Sequence, residues 1–188
     1  MPALRALSAL TLLELRQCGL GAGGAAELGQ SVAATCPLLQ QLTLVQCRIG
    51  PEGARVVGRH LAAGCRLLRE LNMAANGIDC VGAEALGRHL AAGCHELQEL
   101  SLEDNDLGQA GAEALARHLA AGCHELQKLN LHGNDLGQAG AEALARHLAA
   151  GCPRLRLLFL WGNGIEDKHA LAPLLPSSLR RGCATKRS

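Results

Sequence analysis

Leu13, Leu42, Leu71, Leu100, Leu129 and Leu158 fall 29 residues apart without an insertion. Around each runs one pattern, L-x-x-L-x-L-x-x-N/C-x-L/I, read as "LTLLELRQCGL", "LQQLTLVQCRI", "LRELNMAANGI", "LQELSLEDNDL", "LQKLNLHGNDL" and "LRLLFLWGNGI". A fixed period of this length means that one supersecondary unit is copied and that the copies stack in chain order. The repeats start near residues 10, 39, 68, 97, 126 and 155. Residues 166–188 break the pattern and read as a C-terminal cap and tail, so 1–188 reads as a single domain.

The physics of one unit follows from its residues. "LxL" alternates with period two, so two leucines point to one face of a strand and their neighbours to the other. Asn76, Asn105, Asn134 and Asn163, with Cys18 and Cys47, stand where the chain turns off the strand. An amide there is expected to bond backbone groups of the turn and of the next repeat. "GAEALARHLAAGC" then sets Ala112, Leu115, Ala116 and Leu119 at i, i+3, i+4 and i+7, one apolar helical stripe. Glu113 and Arg117 read as an outward i,i+4 pair, as do Glu84/Arg88 and Glu142/Arg146, and Gly122 reads as a helix C-terminal stop.

A strand and a helix in 29 residues cannot bury their own apolar faces, so neighbouring units must cover them. Packed helices need about 8–10 Å and paired strands only about 4.8 Å, so the stack must curve with its sheet inside. The expected fold class is α/β: a horseshoe solenoid of about six 29-residue strand–helix repeats, with a parallel sheet on the concave face.

Units of this length with "GAxALAxxL" helices and Asn or Cys at the turn resemble leucine-rich repeat proteins of the ribonuclease-inhibitor-like type, over about residues 4 to 175. That type occurs in the C-terminal domains of NOD-like receptors of innate immunity and in Ran GTPase-activating proteins. The resemblance implies a non-catalytic module that binds a partner protein in its concave groove, ligand-sensing or autoinhibitory as in NOD-like receptors. Alternatives are regulation of an enzyme in trans, as by Ran GTPase activators or ribonuclease inhibitor, and a structural scaffold. The nucleotide-binding domain of the first group and the acidic tail of the second are missing from these 188 residues. The incomplete first unit leaves two readings, a stand-alone protein and a piece of a larger multidomain chain.

Two stretches locate the expected site. His95–Cys123 and His124–Cys152 are identical except at Glu99/Lys128, Ser101/Asn130, Glu103/His132 and Asp104/Gly133. Counting the first leucine of the pattern as one, those are positions three, five, seven and eight, the ones that should face the groove. Neutral drift of exposed residues is one explanation. The constancy of the outer-helix positions Glu113/Glu142, Arg117/Arg146 and His118/His147 favours a diversified binding surface instead. The expected partner-binding set is Glu99, Ser101, Glu103, Asp104, Asp106, Lys128, Asn130, His132, Asp135, Phe159 and Trp161. Phe159 and Trp161 are the chain's only aromatics; as large rigid side chains they read as interface anchors. The alternative is that they pack sideways over His132 and Asn130. Glu99, Glu103, Asp104, Asp106 and Asp135 would gather into an acidic patch suited to a basic partner surface.

Other chemistry finds no support. The net charge of +1, with no basic stripe, argues against nucleic acid, and no apolar run approaches a membrane span. Neither a phosphate-cradling G-x-x-x-x-G-K-[ST] nor a G-x-G-x-x-G between strand and helix is present. "RHLAAGC" repeats His60, His89, His118 and His147 in one column and Cys65, Cys94, Cys123 and Cys152 in another. Neither column matches a zinc motif, and four equivalent Cys/His pairs without an orienting third group read as scaffold, not as a nucleophile. No enzyme, cofactor or metal is therefore expected. Nine thiols, five of them in one repeat column, suit a reducing compartment, so the cytoplasm is expected, and the inner cysteine column is a candidate for oxidative cross-linking between repeats.

Overall fold

The computed structural model describes residues 7–167, 170, 171 and 173–175, and the backbone of 183 and 184. The chain alternates strand and helix: β1 (Leu12–Arg16), α1 (Gly21–Thr35), β2 (Gln41–Val45), α2 (Gly50–Gly64), β3 (Glu70–Asn72), α3 (Cys80–Gly93), β4 (Glu99–Ser101), α4 (Gly108–Gly122), β5 (Lys128–Asn130), α5 (Gly137–Gly151), β6 (Leu157–Phe159) and β7 (Cys183–Ala184). The strands form one parallel sheet in chain order. Its register equals the repeat, with Leu13 beside Leu42 and Leu42 beside Leu71. The expected solenoid is what forms. The short β7, pairing Leu158 with Cys183 and Phe159 with Ala184, is an addition that the repeat pattern did not announce.

The leucines facing away from the groove meet the helical stripe and form one continuous core. Leu71, Leu100, Leu129 and Leu158 are at most 1% exposed, as are Leu115, Ala116 and Leu119 of α4. Each buried leucine contributes about 1.5–3 kcal/mol relative to exposure. Beyond the sixth strand, Leu171 and Leu175 are buried and Leu174 packs against the same core. Pro176 and the basic tail lie outside the described residues.

The turn asparagines are the buried polar residues of the described chain. The Asn105 amide donates to Met73 O (3.1 Å) and Leu102 O (2.9 Å), while its carbonyl accepts from Asn76 N and Ile78 N (3.0 Å each). These side chains therefore bond back to the preceding repeat, not forward as expected. One amide ties off four backbone groups that neither strand nor helix satisfies, which a Cys at the same slot cannot match. The Cys47 thiol makes only long contacts to Leu15 O (3.5 Å) and Val45 O (3.3 Å).

Two helix features differ from the sequence reading. Gly122 does not stop α4 by entering left-handed space; it is that helix's last residue, followed by Cys123 as the cap. A Cβ on Gly122 would stand 2.2 Å from Ala91 O, and Gly64, Gly93 and Gly151 meet the preceding helix equally closely. The glycine is there because successive helix ends touch backbone to backbone. Likewise, Arg117 pairs with Glu84 of the preceding helix at 3.8 Å, not with Glu113 of its own. At the helix spacing of a stacked array, the neighbouring helix competes successfully with the next turn.

Candidate functional site

Positions three and five lie on the strands, and position eight follows on the turn; position seven ends β1 and β2 and lies on the turn in the four later repeats. Rows three and five, with Glu103 of row seven, line a concave depression of about 220 Å³, bounded by Thr43, Glu70, Asn72, Glu99, Ser101, Glu103, Lys128 and Asn130 over the strand backbone at Leu42, Leu71 and Leu100, whose side chains point into the core. Five of the expected site residues are therefore brought together: Glu99, Ser101, Glu103, Lys128 and Asn130. Thr43, Glu70 and Asn72 belong with them. The twin-repeat comparison missed these three because they stand in repeats that have no near-identical copy, although the row assignment alone would have found them.

The remaining expected residues sit beside the depression. Asp106 and Asp135 are exposed on the turns and do not line it. Phe159 and Trp161 are half-buried and pack sideways, their ring centroids 5.2 Å apart edge-on. Trp161 also meets the His132 ring at 5.1 Å, tilted by 55°. Sideways packing, not free projection into the groove, is thus the observed arrangement of the aromatics.

The four divergent positions of the twin repeats touch one another across the β4–β5 border. Lys128 Nζ donates to Glu99 Oε2 at 3.0 Å. Asn130 Nδ2 donates to Glu103 Oε2 at 2.8 Å. His132 Nε2 lies 3.7 Å from Asp104 Oδ1. The Asp104 carboxylate rests over Gly133, where an added Cβ would stand 2.3 Å from Asp104 Oδ1. Two identical repeats would instead set Glu opposite Glu in the Glu99↔Lys128 register pair, and a second carboxylate beside Asp104. Like charges directly opposed on paired strands are destabilising. The crowding of changes therefore has a stacking cause in addition to any partner.

Position eight has a backbone reason as well. Gln17, Gln46, Ala75, Asp104, Gly133 and Gly162 have φ between +52° and +69°. That left-handed region costs an ordinary side chain but suits Gly and tolerates Asp, so an Asp-to-Gly exchange there is conformationally easy.

These pairings also revise the acidic patch. Glu99 is neutralised by Lys128, and Glu70 accepts from Gln41 Nε2 at 2.8 Å. Within the depression three carboxylates, Glu70, Glu99 and Glu103, face one ammonium, Lys128, leaving a modest negative excess.

Outside the groove, the two columns take the places of scaffold. Cys36, Cys65, Cys94, Cys123 and Cys152 are buried free thiols, whereas Cys18 and Cys80 are exposed. Burial pushes Cys94 and Cys123 up to about 12, and Cys65 and Cys152 up to about 11. Such thiols stay protonated near neutral pH and are poor nucleophiles. The histidines are not freely exposed: His118 is half-buried, with its Cβ lying 3.4 Å from where a Cβ of Gly87 would stand. The constancy of His118/His147 is therefore explained by helix packing, and it lends less support to selection at the groove.

The Leucine Rich repeat family matches at residues 35–58, 64–87, 93–116 and 122–145, together 96 of the 188 residues. The chain belongs to the leucine-rich repeat family. The matched segments fall in register with the strand–helix units, each running from the end of one helix into the next. Leucine-rich repeats generally serve as non-catalytic scaffolds for protein–protein interaction. No curated protein matches the chain. Among the described residues, no helix is long and apolar enough to cross a membrane.

Proposed function

We propose that this leucine-rich repeat chain binds a partner protein in its concave groove, centred on the depression between β2 and β5. The observation that carries this reading is the depression itself. It sets a rim of partly exposed hydroxyl, amide, ammonium and carboxylate groups over the strand backbone of one rigid sheet. Rigid strands present such groups at low entropic cost on binding. The excess of carboxylates favours a partner segment that carries Lys or Arg, which would displace Lys128 from Glu99 or engage Glu70 and Glu103 directly.

In the ribonuclease-inhibitor-like subtype that the "GAxALAxxL" units resemble, such a groove serves ligand sensing or autoinhibition within NOD-like receptors. The same role is our reading here, in the cytoplasm, where the free thiols would stay reduced. The test is a photo-crosslinking residue placed at Ser101 in the groove, or at Ala121 on the exposed end of α4, in cells that express the chain. Capture of a partner at Ser101 and not at Ala121 is expected. Capture at Ala121 alone would move the interface to the helical face.

A further inference from the structure

We propose that Glu103, Asp104 and His132 form a binding site for one divalent metal ion of the zinc class, across the border between repeats four and five. Ligand atoms of these three side chains lie within 4.8 Å of one another, the sole such trio among the described residues. The columns of His and Cys that first suggest metal are not involved.

The imidazole is already set for the task. His132 Nδ1 lies 2.8 Å from Trp161 O, and a carbonyl oxygen can only accept, so the ring proton belongs on Nδ1. That leaves Nε2 with its lone pair free, 3.7 Å from Asp104 Oδ1 and beyond hydrogen-bond distance. A cation held between these two acceptors would satisfy both. Metal-binding histidines usually donate the other ring N–H to a carbonyl or carboxylate in this way, which fixes the tautomer and the ring. The ring is fixed further by its tilted contact with Trp161, and its edge lies over Gly162, where a Cβ would come within 2.9 Å of His132 Cε1.

Both carboxylates are positioned as well. Glu103 is held by Asn130 Nδ2 at 2.8 Å, and Asp104 has room only because residue 133 is glycine. Zinc bonds of about 2.0–2.2 Å to N and O require ligand atoms roughly 3.4 Å apart in a tetrahedron. The Nε2–Oδ1 separation is 3.7 Å, and a side-chain rotation of the half-exposed Glu103 closes the rest. Two oxygens and one nitrogen suit zinc-like ions, whereas calcium needs six to eight oxygens. Three protein ligands leave a fourth position open toward solvent. The trio exists at one border alone, because the preceding border offers Ala74 and Ala75 in the same rows, and the following one offers Gly133 and Trp161.

The probe is Zn²⁺ alone, titrated calorimetrically into the full chain with Cys18, Cys80 and Cys183 replaced by serine to remove competing thiols. One equivalent is expected to bind, with the Nε2 nitrogen resonance of His132 shifting in step. Asp104→Asn and Glu103→Gln, each with an unchanged melting curve, are expected to weaken binding at least ~10-fold. His132→Gln should abolish it. Absence of binding, or binding that survives Asp104→Asn with the His132 resonance unmoved, overturns the proposal.

Discussion

Lys128→Glu restores at one position the residue of the twin repeat, and it tests whether the divergence at the β4–β5 border serves the stack itself. The substitution removes the 3.0 Å contact between Lys128 Nζ and Glu99 Oε2, whose side chains are 40% and 45% exposed. At that exposure the lost pair costs only about 0.2–1 kcal/mol. Two carboxylates directly opposed in register add a penalty of similar size, roughly 0.2–1 kcal/mol. The sum, about 0.4–2 kcal/mol, corresponds to a drop of roughly 1–8 °C in melting temperature for a domain of this size. Thermal melts followed by circular dichroism at low salt measure it, with Lys128→Gln as the control that loses the pair without adding repulsion. The control should fall about half as far. In 1 M NaCl, where the screening length shrinks to about 3 Å, the gap between the two variants should largely close. A Lys128→Glu protein as stable as wild type at low salt, or a loss unaffected by salt, would refute the stacking explanation for the divergence.

Four further outcomes follow from the scaffold. Gly122→Ala should destabilise by about 1–3 kcal/mol in denaturant titration through overpacking, despite the better helix propensity of alanine. Gly23→Ala in α1, where a Cβ meets nothing within 4 Å, should stabilise by about 0.5–1 kcal/mol. Mass spectrometry after native-state alkylation near neutral pH should find Cys18 and Cys80 modified, and Cys65, Cys94, Cys123 and Cys152 intact. Desolvation foremost, then the nearby Arg88 and Arg117 respectively, hold His89 and His118 below the ordinary imidazole range. The fold therefore prefers both neutral, and stability should be full above about pH 6.5 and fall progressively below it, as the unfolded chain takes up protons that the fold resists. Chemical denaturation across that range measures the slope, and a rise in stability on acidification would contradict it.

The repeat was legible because it is written in leucines at fixed spacing, and buried leucines admit few substitutes. Strand register, helix stripe and groove rows all follow from that one period. What stayed hidden depends on how neighbouring units touch. Gly122 reads locally as a helix stop, and only the adjacent helix shows that it is a contact. Arg117 has an intrahelical partner by sequence and an interhelical one in space. The asparagine slot was evident, but not the direction in which its amide reaches. At the groove the rows were right, and the three-residue strands gathered Glu99, Ser101, Glu103, Lys128 and Asn130 as expected. Asp106 and Asp135 sit on turns beyond the depression, and Phe159 and Trp161 turn aside onto each other and onto His132. The contact between His132 and Trp161 spans 29 residues, which a pattern within one unit does not encode.

The groove as the interface is the account's central claim, and paired charge reversals test it most directly. Glu70→Lys with Glu103→Lys alters the depression, while Glu84→Lys with Glu113→Lys alters the outer helices by the same charge. Affinity for the partner captured at Ser101 is measured for both, with melting curves to establish that each is folded. Rim charges of this kind typically act through encounter and pairing, and the groove variant is predicted to bind at least ~10-fold more weakly while the helix variant binds as wild type. Unchanged binding by a folded groove variant, with loss in the helix variant, would contradict the account.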